Sequence, residues 1–173
     1  MLFLELRSAD LSLPGRLLDP FGMQLGEPRG MLVRDLMQRD VVTLNANDHL
    51  DLADSIMRLG RIRHMPVMAH DRLVGILSQR DLFRAAISTV LALRPSAERE
   101  WLAKISVREV MTDHVITVTP DSNIQDAVRL MADRKLGCLP VVEGGKLVGL
   151  LSETDCLHYL ARLLDAQDRA AAS

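Results

Sequence analysis

The sequence predicts an α/β (α+β) fold made of two tandem β-α-β-β-α units, and three observations carry that prediction. Residues 34–86 return at 108–160 with a constant offset of 74 and no gap, 14 of the 53 aligned positions being identical. Within each copy the apolar period switches from strand to helix, to two strands, and back to helix. At 173 residues and 48% hydrophobic content, the chain can bury one core shared by two halves. A repeat this long is a supersecondary unit that covers its apolar face with its copy.

The elements follow in order. Residues 1–31 carry four of the ten glycines and three of the seven prolines, so they read as an irregular N-terminal arm. Its apolar residues, among them Phe3, Leu4 and Phe21, are expected to pack on the body or on a second subunit. Domain 1 is expected over 32–86. It opens with the β-branched run Val41-Val42-Thr43-Leu44. A helix capped by Asp48 follows, with a stripe of Leu50, Ala53, Asp54 and Met57. Pro66 opens the next strand, where a missing N–H does least damage. His70-Asp71 turns it into Arg72–Leu77, and a helix closes the unit over about 80–93.

Residues 87–104 read as a helical linker, with Pro95 as breaker, Ser96 as cap and Trp101 at a contact between halves or subunits. Domain 2, expected over 105–162, repeats the pattern. Val115–Val118 is the strand. Ser122 with Gln125 has capping-box spacing ahead of Ile124, Ala127, Val128 and Met131. Pro140 opens a hairpin turned by Gly144-Gly145. A last helix is expected over about 154–165, and the polar, alanine-rich tail, 163–173, is expected to fray.

The bulk numbers exclude several classes. A net charge of −2 and 3% aromatics give neither the basic face nor the stacking platforms of a nucleic-acid binder. Apolar runs fall well short of the ~20 residues that span a bilayer. Met1–Leu6 lacks a basic leader and a cleavage site. Cys138 and Cys156 have no cysteine at the matching place in the other copy, so no disulfide framework is expected and the setting reads as cytoplasmic. There is no nucleophile with a base, no metal cluster and no Gly-x4-Gly-Lys loop. The chain therefore reads as a non-enzyme with no obligatory cofactor.

The ordered set resembles the cystathionine-β-synthase (CBS) domain: strand with Thr, capped helix, Pro-Val (Pro66-Val67, Pro140-Val141), and Leu-Val-Gly followed by Ser-x-x-Asp (Leu73–Asp81, Leu147–Asp155). Two copies resemble a CBS pair, or Bateman module. That resemblance implies sheet-to-sheet packing about a pseudo-twofold axis and two clefts that take adenosine-containing ligands such as AMP, ADP, ATP or S-adenosylmethionine. It also implies a homodimer, and a regulatory module that signals to a partner protein in trans. The alternatives are a docking scaffold with vestigial clefts, or an S-adenosylmethionine sensor.

Within the resemblance, Ser78, Asp81, Ser152 and Asp155 carry the ribose and phosphate positions. A carboxylate at a helix start accepts hydrogen bonds from a vicinal diol, and helix N-termini attract phosphate. The same spacing is also an acidic capping box that needs no ligand. Thr43 and Thr117, with Val42 and Ile116, are expected to wall the adenine; strand propensity accounts for the threonines equally well. Arg63, His64 and Arg80, with Lys135 and Thr154, are the expected phosphate-side contacts, since guanidinium forks suit phosphate oxygens. Solvated surface charge is the plain alternative for Arg63. The remaining histidines, His49, His70, His114 and His158, read as ordinary surface residues.

Overall fold

The computed structural model describes residues 30–90 and 100–171. The N-terminal arm and the linker around Pro95 and Ser96 lie outside them. In the first repeat, β1 (Leu44–Asn45) pairs in parallel with β2 (His64–Ala69), which pairs antiparallel with β3 (Arg72–Ser78). Helix α1 (Leu50–Gly60) lies between β1 and β2, and α2 (Gln79–Val90) follows β3. The short α3 (Val107–Val110) leads into the second repeat of α4 (Ile124–Arg134), β4 (Cys138–Glu143), β5 (Lys146–Ser152) and α5 (Glu153–Ala171).

The two hairpins are copies down to their irregularities. Pro66 faces Ile76 and Val67 faces Gly75, before a bulge at Val67/Met68; Pro140, Leu150, Val141 and Gly149 repeat this, with the bulge at Val141/Val142. Both turns use two left-handed residues. Gly144 and Gly145 have φ of 56° and 79°, and His70 and Asp71 have φ of 47° and 62°. That is the conformation a two-residue hairpin matched to strand twist needs. Strands β3 and β5 contact each other where the halves meet.

Each repeat takes its lead-in from the other. Val33, Leu36 and Met37 are buried in the core of the second repeat with Ile124, Met131, Leu139 and Leu151. Leu102 and Val107 are buried in the core of the first with Leu44, Leu50, Met57, Met65 and Leu77. The backbones are tied in the same sense. Gln38 exchanges two hydrogen bonds of 2.9 Å with Leu150, and Thr112 exchanges two of 2.9 Å with Ile76. Gly75 and Gly149 make this approach possible. A Cβ on Gly75 would lie 3.1 Å from the Thr112 carbonyl, and one on Gly149 would lie 3.0 Å from that of Gln38. Residues 33–37 thus open the first repeat in sequence and pack in the core of the second.

The structure corrects several local expectations. Val41–Thr43 and Val115–Thr117 form no ladder. Pairing is confined to Leu44–Asn45 in the first copy and to a Val118–Val141 bridge in the second. Asn123, not Ser122, caps α4: its Oδ1 accepts the Gln125 N–H at 2.8 Å, while Ser122 Oγ accepts that of Thr119 at 3.0 Å. His49, not Asp48, holds the N-cap position of α1. The Asp48 carboxylate accepts the Asn45 N–H at 2.7 Å instead. Helix α5 continues to Ala171 where fraying was expected. An alanine-rich run without Gly or Pro favours helix, and Arg169 Nε donates back to the Asp165 carbonyl at 3.2 Å. Trp101 is half-buried beside the buried Leu102.

Candidate functional site

Of the hollows that open where the halves meet, two hold the strand–helix turns. The first has a volume of about 570 Å3 and lies between the β3–α2 junction of the first repeat and segments 112–116 and 135–138 of the second. The second, about 300 Å3, lies between the β5–α5 junction and segments 38–42 and 61–64. Each is thus built from one repeat's strand–helix turn and the other repeat's lead-in, which places Ser78 and Asp81 in the first and Ser152 and Asp155 in the second.

At both junctions the capping box forms. Asp81 Oδ2 accepts the Ser78 N–H at 2.9 Å and the Ser78 hydroxyl at 2.5 Å, while the Asp81 N–H donates to Ser78 Oγ at 3.3 Å. Ser152 and Asp155 repeat these three contacts at the same distances. The first helical N–H groups are also used internally: Gln79 donates to the Arg63 carbonyl and Glu153 to that of Gly137. The helix mouths therefore offer an anion fewer backbone donors than their position suggested, and attraction for phosphate falls to side chains.

Those side chains are unevenly divided. Arg63, Arg80, Arg84 and Lys135 line the first cleft, facing the carboxylates of Asp81 and Glu153. Arg61 and Arg63 line the second, facing Asp40 and Asp155. Arg63 and His64 reach both clefts, and Arg63 Nη2 donates to Thr154 Oγ1 at 3.2 Å. Val42 borders the second cleft and Ile116 the first. Thr43 and Thr117 line neither; they border separate surface hollows. Successive side chains on an extended segment point to opposite sides, so an apolar wall at Val42 turns Thr43 away.

His114 and His158 are exposed, as expected of surface residues, but their place beside the clefts was missed. His114 lines the first cleft, with Nδ1 2.7 Å from Asp113 Oδ1, and His158 lines the second. Gln38, also missed, donates from Nε2 to Asp155 Oδ1 at 2.9 Å. Among the described residues no group of three or more His, Cys, Asp or Glu side chains is arranged to hold a metal ion, and no helix is long and apolar enough to cross a membrane.

Burial, and then the neighbouring Arg63 guanidinium, hold the His64 imidazole below its ordinary value of 6.5; Glu153 and Asp81 oppose this, and Arg80 adds to it. Protons therefore bind the unfolded chain more readily. The stability that His64 contributes is complete above its unfolded value and is lost as pH falls from there through the lower folded value. Melting temperature is expected to drop between pH 7 and pH 5, and His64→Asn is expected to flatten that part of the profile. Burial also pushes the Cys138 thiol up to about 12, with Glu153 adding to the effect. Because the thiolate is the nucleophile, Cys138 is expected to resist iodoacetamide at pH 8 in the folded protein and to react on denaturation, as intact-mass measurement would show.

With this geometry in place, comparison with known proteins settles the class. The CBS-domain family model matches residues 33–88 and again 107–162. A CBS domain-containing protein of Dictyostelium discoideum is 31% identical over 137 residues, covering 78% of this chain and 94% of that protein. A CBS-domain crystal structure superposes with a TM-score of 0.64 at 30% identity, over 76% of this chain and 98% of the other. The chain belongs to the CBS-domain family and carries a tandem CBS pair, the Bateman arrangement. The complex of CBSX2 with AMP has the same fold, with a TM-score of 0.65 at 24% identity over 77% of this chain and 98% of that one.

Proposed function

We propose that this CBS pair is a regulatory module that binds an adenosine-containing ligand of the AMP, ADP or ATP type in the clefts between its repeats and signals by conformational change to a partner protein in trans. The observation that carries the reading is the first cleft. It has a carboxylate at a helix start for the ribose diol, the apolar Ile116 on the opposite lead-in, and four cationic side chains within reach of a phosphate chain. Its volume suits a small ligand. Solved proteins of the same fold hold AMP in one case and 5'-methylthioadenosine with S-adenosylmethionine in another, which supports an adenosine-containing ligand. The Dictyostelium relative is little longer than the pair itself, which fits a module that regulates in place of catalysing.

A ligand of this kind works by binding two conformations unequally. Arg63, shared by both clefts and bonded to Thr154 across the pseudo-twofold axis, is the residue whose position phosphate would change. S-adenosylmethionine carries a positive sulfonium in place of phosphates and fits a cation-rich cleft less well. A homodimer is part of the proposal, because Phe83 and Leu157, equivalent by the offset of 74, are 60% and 62% exposed on α2 and α5. The unpaired thiols Cys138 and Cys156 accord with a cytoplasmic setting.

A thermal-shift panel of AMP, ADP, ATP, S-adenosylmethionine and NADH tests the reading. A ligand at about 100 times its dissociation constant adds about 2.7 kcal/mol, or about 5–11 °C for a chain of this size. Phosphorylated adenosines are expected to give the largest shifts. A dominant response to S-adenosylmethionine would reassign the ligand, and no response to any of the five would leave a docking scaffold.

A further inference from the structure

The repeat makes the two clefts near-copies, so any residue that breaks the offset of 74 at a site position marks a difference in use. Position 38 is such a place. Gln38 is held by its two backbone hydrogen bonds to Leu150, and its side chain leaves this fixed ladder to put Nε2 2.9 Å from Asp155 Oδ1. With Ser152 on Oδ2, both oxygens of Asp155 are engaged, and the residue is 8% exposed. Thr112 stands at the equivalent position in the first cleft, on the same kind of ladder with Ile76. Its side chain ends two bonds short of where a glutamine amide would be. Asp81 Oδ1 has the Arg84 guanidinium at 3.9 Å, and its side chain is 19% exposed. The second cleft is also about half the volume of the first, and its cations are matched by carboxylates.

We infer that Gln38 decides which cleft is loaded: its amide occupies the acceptor on Asp155 that a ribose diol would use, so the nucleotide goes to the first cleft. The inference rests on the nucleotide reading above. A diol entering the second cleft must displace an intramolecular donor already in place, whereas at Asp81 the opposite lead-in sets no such donor against it. The pair is thereby made functionally asymmetric by one side chain contributed from the lead-in segment.

Titration calorimetry with ADP tests this on the full chain. The wild type is expected to take one ADP per chain, with binding weakened roughly 10- to 150-fold in Asp81→Asn and kept in Asp155→Asn. Gln38→Thr, which installs the first cleft's own residue, is expected to take two ADP per chain, the added site disappearing when Asp155→Asn is combined with it. Freed of its competitor, the second site should tighten by about tenfold to a hundredfold. Gln38→Ala should behave the same way, which guards against a folding defect peculiar to threonine. One ADP per chain in both Gln38 variants, two sites of equal affinity in the wild type, or wild-type binding that depends on Asp155 and not on Asp81 would each overturn the role of Gln38 while leaving nucleotide binding intact. Absence of ADP heat from every variant would overturn the nucleotide reading itself, and this inference with it.

Discussion

Replacing Val33 with aspartate is expected to destabilise the second repeat first, although Val33 lies 74 residues before the equivalent position in that repeat's own sequence. Val33 is fully buried among Ile124, Met131, Leu139, Val141 and Leu151. A carboxylate there has no partner, and an uncompensated buried charge costs about 3–5 kcal/mol. That is a large part of the stability of an ordinary domain, about 5–15 kcal/mol. Hydrogen exchange should show β4 and β5 amides losing protection before those of β2 and β3. Val107→Asp should reverse the order, because Val107 is fully buried in the core of the first repeat. Val33→Ala, at about 0.5–3 kcal/mol, offers the same comparison in a variant that stays folded. Equal loss of protection in both hairpins would mean that the halves unfold as one unit and that the exchanged lead-ins confer no separate control.

The exchange explains what could and could not be seen in the chain. Strand and helix periods, the Pro-Val strand starts and the paired hairpins were legible because each is set by neighbours a few residues apart, and the offset of 74 let one copy check the other. The lead-ins were not legible in this way. Val33, Leu36 and Met37 form an apolar cluster that fits either core, and contacts distant in sequence assign it to the second: the Val33 N–H donates to the Ser122 carbonyl and the Arg34 N–H to that of Pro120, beside the close approach at Gly149. The first strands were over-read for a similar reason. Val41–Thr43 has the β-branched composition of a strand, yet it borders a cleft and has no neighbour to pair with. Ser122 and Asn123 are adjacent competent caps, and the choice between them turned on which one the Thr119 N–H engaged. At the site, Ser-x-x-Asp was visible twice, but the hydrogen bond that distinguishes the copies joins residues 117 positions apart.

Substituting Asp81 by asparagine is expected to weaken adenine-nucleotide binding by roughly 10- to 150-fold, the equivalent of about 1.5–3 kcal/mol for a lost hydrogen bond to a charged group. The same carboxylate caps α2 through Ser78, so a drop in affinity alone would not separate a ligand contact from a loosened helix start. Ser78→Ala makes the separation. It removes the hydroxyl that donates to Asp81 Oδ2 and accepts the Asp81 N–H, while the carboxylate keeps its charge and the backbone N–H of residue 78. A lost cap costs about 0.5–2 kcal/mol of stability with or without ligand. If Asp81 contacts the ribose, Ser78→Ala should lower the melting temperature with a smaller effect on affinity, and Asp81→Asn should do the reverse, because the amide oxygen still accepts from the backbone. Should both variants lose stability and affinity in proportion, Asp81 acts on the cleft only by holding the first turn of α2. The diol must then be bound by other groups on the cleft wall, with Glu153 the remaining carboxylate that faces it.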